Sequence, residues 1–111
     1  APFHCSLMVP AGERLATVLD GIEVGAMTLP VIANVEAAPN QDPARVRELL
    51  VKQVSAPVRW QETIASMVEL GVDRYVEIGP GKVLSGLAKR MAKGSTIQNV
   101  QNVADISALA G

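Results

Sequence analysis

The sequence predicts an α/β fold in which helices pack on a few, mostly parallel strands. Three observations predict it. Apolar residues recur at helical spacing in several separate stretches, short β-branched runs lie between them, and Gly79-Pro80-Gly81 joins one such run directly to a helix-like stretch. Strands that alternate with helices are joined by crossovers and layer as α/β structure. Only two or three strands are legible, few for a complete sheet of this kind, so further sheet partners are expected upstream of Ala1.

The elements follow in order. Leu15, Val18, Leu19 and Ile22 mark one apolar helix face, broken by Gly21 and Gly25. Val31 to Val35 reads as a short buried strand and residues 37–41 as a loop. Asp42-Pro43 is a helix start, an N-cap side chain followed by a proline in the first turn. Val46, Leu49, Leu50 and Val54 supply that helix's inner stripe. Pro57 interrupts, and a second helix carries Trp60, Ile64, Met67 and Val68 before Gly71 ends it as a C-cap. Arg74 to Ile78 reads as a strand. Lys82 to about Lys93 reads as a helix with Val83, Leu84, Leu87 and Met91 inward. Thr96 to Val100 is a last short strand and Val103 to Ala110 a terminal helix.

Composition removes several function classes. Of the 111 residues, 49% are hydrophobic and 19% charged, a globular rather than a disordered balance. The net charge of −1 comes without a block of like charge, so no nucleic-acid-binding surface is expected. No apolar run reaches the roughly 20 residues of a membrane helix. Cys5 is the only cysteine, which leaves no internal disulfide or CxxC metal knuckle and fits a reducing, cytoplasmic compartment. The chain opens on Ala1-Pro2-Phe3-His4 without a Met or a signal-peptide pattern, as expected of a cut through a longer protein.

His4 is the only histidine. Histidine titrates near neutrality and is the usual general base in acyl transfer, although a lone histidine at a chain end is more often a surface residue. Cys5 beside it reads as a small hydrophobe, because adjacent side chains point apart. Gly79-Pro80-Gly81-Lys82 is not a phosphate loop: Val76 and Val83 stand where that motif needs Gly and Ser or Thr. Lys89, Arg90 and Lys93 cluster at a helix end, where they complement the helix dipole.

Four segments, in order, resemble the malonyl-CoA:acyl carrier protein transacylases. Pro2-Phe3-His4-Cys5-Ser6-Leu7-Met8 with Pro10-Ala11 is similar to the segment around that family's catalytic histidine. Pro30-Val31-Ile32-Ala33-Asn34-Val35 resembles a strand segment, Val51 to Trp60 a helix end with Pro-Val-x-Trp, and Glu77 to Leu87 a Gly-Pro-Gly turn. The resemblance is to the family's C-terminal portion. It is best over residues 2–94 and weak over the tail, 95–111, with the whole of 1–111 read as part of one catalytic domain.

The resemblance implies part of the large, α/β-hydrolase-like subdomain of an acyltransferase. It implies a two-step transfer: a serine attacks the malonyl thioester of coenzyme A, and malonyl then passes to the phosphopantetheine thiol of acyl carrier protein, in fatty acid biosynthesis. His4 is the implied base for that serine. No Gly-x-Ser-x-Gly occurs in the chain, so the serine is expected in the missing N-terminal part of the same enzyme, and residues 1–111 alone are expected to be inactive. Gln53 is implied as the residue whose backbone carbonyl accepts from the histidine Nδ1, against the alternative that it only ends a helix. Asn34 is implied near the histidine, though Ala33 replaces the usual preceding Asn. Phe3 is implied in selecting malonyl over methylmalonyl, against simple core packing. No metal or redox cofactor is implied. Docking of the acidic carrier protein on Lys89 and Arg90 is a further expectation. Two rivals stand beside this reading: an acyltransferase domain of a polyketide or multifunctional synthase, and a non-catalytic binding module of the same fold. Few strands and an uncovered sheet edge predict marginal stability or self-association of the piece alone.

Overall fold

The computed structural model describes residues 1–109, and the chain divides into two compact units, 1–63 and 64–111. The first unit begins with a 3₁₀ turn, Ser6–Met8, that runs into α1, Val9–Asp20. Pro10 sits in the first turn of α1, where its missing N–H leaves no bond unmade. Two strands of two residues each follow, β1 (Val31–Ile32) and β2 (Pro39–Asn40), paired antiparallel. Helix α2, Pro43–Val54, starts as expected: the Asp42 side chain accepts from the Ala44 N–H at 2.9 Å. α1 packs on α2 at Gly12, where an added Cβ would lie 3.5 Å from the Val51 carbonyl oxygen.

The division between units falls within α3, Trp60–Glu69, whose Thr63 and Ile64 are the most deeply buried side chains. Gly71 adopts φ +81°, the Gly71 N–H bonds Val68 O at 3.0 Å and the Val72 N–H bonds Met67 O at 3.0 Å. This is a Schellman ending, which needs a residue without a Cβ at the left-handed position. The second unit is a strand–helix–strand crossover: β3 (Arg74–Ile78), α4 (Val83–Met91), β4 (Thr96–Val100), with β3 and β4 parallel, followed by α5 (Val103–Leu109). The α/β class with a parallel pair is therefore present; Ala110 lies outside the described residues.

Four expectations are corrected. The strand at Val31 lasts two residues, because the chain turns back at once: the Ala33 carbonyl accepts from Glu36 and Ala37 N–H groups at 3.2 and 2.9 Å. Val31 is exposed rather than buried. The loop expected over residues 37–41 contains β2. In α1, Val18 is exposed and Ile22 lies beyond the helix; the inward stripe runs through Gly12, Leu15, Ala16 and Leu19. In α4, Val83 is 74% exposed and Leu84 and Leu87 are also exposed, while Ser85, Ala88 and the C-cap residue Ala92 are buried.

The α4 orientation has a polar cause. The Glu77 carboxylate on β3 accepts from the Ser85 Oγ–H at 2.6 Å, the Ser85 N–H at 2.8 Å and the Leu84 N–H at 3.3 Å. Asn99 on β4 donates to the same carboxylate at 3.0 Å. The free N–H groups at the start of a helix take a negative acceptor well, so Glu77 draws Ser85 to the strands and turns the larger Val83 away. These bonds, the Ser85 hydroxyl's first, hold the Glu77 carboxyl below its ordinary range.

Two outcomes are expected. A folded-state value below the ordinary 4.5 means that Glu77 stabilises the fold above that pH and loses its contribution as pH falls through the carboxylate range. Denaturation of Glu77→Gln across pH 3 to 7 should therefore show a flatter acid limb than the natural protein and lower stability at neutrality. Gly71→Ala forces a Cβ into left-handed backbone and should lower unfolding free energy by about 1 kcal/mol, read by urea denaturation.

Candidate active site

His4 and Gln53 meet because of where α2 stops. A helix leaves its last four carbonyls without intrahelical partners, and Gln53 is the penultimate residue of α2. The His4 ring places Nδ1 3.0 Å from the Gln53 carbonyl oxygen. A carbonyl only accepts, so Nδ1 carries the hydrogen and Nε2 is left with a free lone pair. That is the tautomer a general base needs, with the base nitrogen on the far side of the ring from its holder. His4 itself is exposed, so Nε2 is open to an incoming group.

The backbone reaches this arrangement through an unusual conformation. His4 has φ 55°, in the left-handed region that non-glycine residues rarely occupy. Such residues persist where surrounding contacts over-determine them, at roughly 1–3 kcal/mol each. The surrounding contacts here are the Gln53 bond and the Cys5 thiol, which donates to the Pro2 carbonyl at 3.1 Å. The thiol is thus engaged with backbone and forms no dyad with the imidazole.

Asn34 sits in the turn after β1, and its carbonyl accepts from the Arg59 N–H at 3.3 Å. The Arg59 guanidinium donates to the Val35 and Glu36 carbonyls, both at 3.2 Å, and pairs with Glu62. Arg45 of α2 pairs with Glu36. Two arginines therefore fasten the turn that carries Asn34. The sequence reading missed both, because their partners are carbonyls and a carboxylate of no recognisable pattern. Among the described residues, the structure records no hydrogen bond between the Asn34 side chain and His4. Phe3 is 66% exposed. His4 and Gln53 are thus brought together, Asn34 is separately anchored, and Phe3 stands free beside His4. The described residues contain no group of three or more His, Cys, Asp or Glu that could hold a metal ion, and no helix is long and apolar enough to cross a membrane.

A histidine held through Nδ1 by an uncharged acceptor, with Nε2 left open, is the arrangement of a candidate general base. No family model matches the chain. Individual proteins do. The malonyl CoA-acyl carrier protein transacylase of Haemophilus influenzae is 41% identical over 108 residues, 97% of this chain and 35% of the relative. The crystal structure of acyl-carrier-protein-S-malonyltransferase from Bartonella henselae superposes with a TM-score of 0.90 at 43% identity, over 98% of this chain and 35% of that one. A malonyl-transacylase solved in complex with its type II polyketide synthase acyl-carrier protein superposes at 0.84 and 43% identity, over 99% of this chain and 36% of that one. By sequence and by fold, the chain belongs to the malonyl CoA-acyl carrier protein transacylase family, and it spans about 35% of the length of the relative from Haemophilus.

The left-handed backbone at His4 separates two substitutions that both remove the imidazole. Asn tolerates that conformation and Val does not. His4→Asn should retain about 1–2 kcal/mol more unfolding free energy than His4→Val, measured by denaturant titration of the full-length protein.

Proposed function

We propose that this chain supplies the histidine base of a malonyl-CoA:acyl carrier protein transacylase. The single observation that carries the proposal is the 3.0 Å contact between His4 Nδ1 and the Gln53 carbonyl, in a chain whose relatives bear that name. The nucleophile is a serine outside these 111 residues. His4 Nε2 takes the serine proton as the hydroxyl attacks the malonyl thioester carbonyl; the C–S bond breaks, and the proton passes to the departing coenzyme A thiolate. In the second half, Nε2 takes the proton of the phosphopantetheine thiol as its sulfur attacks the malonyl-serine ester, and returns it to the serine oxygen. Atoms balance without a metal or redox cofactor, and the phosphopantetheine arrives on the carrier protein.

Phe3 and Asn34 are proposed at the substrate pocket. The Phe3 ring crowds the space an α-methyl group would fill, a preference of about 1–3 kcal/mol for malonyl over methylmalonyl. The reaction is placed in the cytoplasm, in fatty acid synthesis. The match to a malonyl-transacylase bound to a polyketide carrier protein supports a second reading, in which the same transfer charges a polyketide synthase carrier.

The test is malonyl transfer by the full-length protein. His4→Ala should lower kcat by about 10²–10⁴-fold, and residues 1–111 alone should transfer nothing; an active His4→Ala enzyme removes His4 from the mechanism. Gln53→Ala should change kcat little, since the acceptor is main chain. Lys89 and Arg90 are exposed in the last turn of α4 and offer positive charge to an acidic carrier. Reversing both to Glu should raise the carrier protein's KM and leave that of malonyl-CoA unchanged; an unchanged carrier KM excludes docking there.

A further inference from the structure

The availability of the Gln53 carbonyl has a cause four residues further on. In a continuing helix that oxygen would accept from the N–H of residue 57, and residue 57 is proline, which has none. Proline also disfavours the helical conformation at the residue before it, here Ala56. Helix α2 accordingly ends at Val54, with Ser55 as its C-cap at φ −113°, ψ 7°. Such an unpaired helix-end carbonyl is ordinarily left to water or to a capping donor. Here the donor is His4, 49 positions away, on a residue held in left-handed backbone.

We infer that Pro57 is a positioning residue for the base: by withholding an N–H from the Gln53 carbonyl, it reserves that oxygen for His4 Nδ1. The inference rests on the proposed function for its catalytic consequence but not for its structural one. With an N–H at position 57, α2 can extend by a turn, and the Gln53 oxygen acquires a local donor with no loop to order. The carbonyl is then shared or lost, and the imidazole is freed to rotate or to change tautomer. Pro57 touches no reacting atom; it acts through Gln53 and His4.

A matched pair of variants isolates the N–H. Pro57→Ala introduces it. Pro57→lactate, an ester made by incorporating the α-hydroxy analogue of alanine, has the same side chain and no N–H. Both are built in the full-length protein. The expected result is a fall in kcat of about tenfold or more for Pro57→Ala, most of it regained in Pro57→lactate, with the residue-57 amide of Pro57→Ala protected from hydrogen exchange. Protection of that amide reads the structural claim independently of catalysis. If the natural protein transfers no malonyl, the functional reading fails while the exchange measurement still decides this one. An unprotected amide overturns the inference. So does an equal loss in the alanine and lactate variants, which would make Pro57 a shaper of the loop and nothing more.

Discussion

The hydrogen bond from His4 Nδ1 to the Gln53 carbonyl ties the first residues of the chain to the far end of α2, and the candidate site depends on it. Three local facts converge there. The Asp42 cap and Pro43 fix where α2 begins, Pro57 prevents it from continuing, and the left-handed backbone of His4 aims the ring at the carbonyl left over. None of the three is informative alone. Together they leave one ring nitrogen committed and the other open.

The choice of a carbonyl over a carboxylate has consequences. A carboxylate opposite the imidazole would fix the tautomer and also stabilise the imidazolium by its charge; a carbonyl fixes the tautomer with only a dipole. The ring is thus oriented without a full counter-charge. The second unit uses the opposite solution. There an ionised carboxylate, Glu77, gathers the first N–H groups of α4 and the Asn99 amide, so a charge organises a structural junction and a neutral group organises the candidate catalytic one.

Much of the fold was legible in local signals. The Asp42-Pro43 start, the Gly71 ending, and the strands at Arg74–Ile78 and Thr96–Val100 follow from caps, turns and β-branched runs that act over a few residues. What was not legible depends on partners distant in sequence. The inward face of α4 was misread because apolar periodicity favoured Val83 and Leu87, whereas Glu77 pulls Ser85 inward and seats the small Ala88 and Ala92. The strand at Val31 was overlong because nothing in its β-branched run announces the turn at Ala33. At the site, the His4–Gln53 contact was implied only through resemblance; a backbone acceptor leaves no side-chain signature. Arg59 was invisible as an anchor of the Asn34 turn for the same reason, and Arg45 because its carboxylate partner, Glu36, lies nine positions away with no recognisable pattern.

The most direct test of this account is the ¹⁵N spectrum of the His4 imidazole in the full-length protein, assigned by comparison with His4→Asn. The expected result is a neutral ring that carries its hydrogen on Nδ1 and leaves Nε2 unprotonated. A neutral ring that carries its hydrogen on Nε2 would contradict it, because the Gln53 carbonyl could then hold no bond from Nδ1, and Nε2, the nitrogen turned away from that carbonyl, would have no lone pair with which to take a proton.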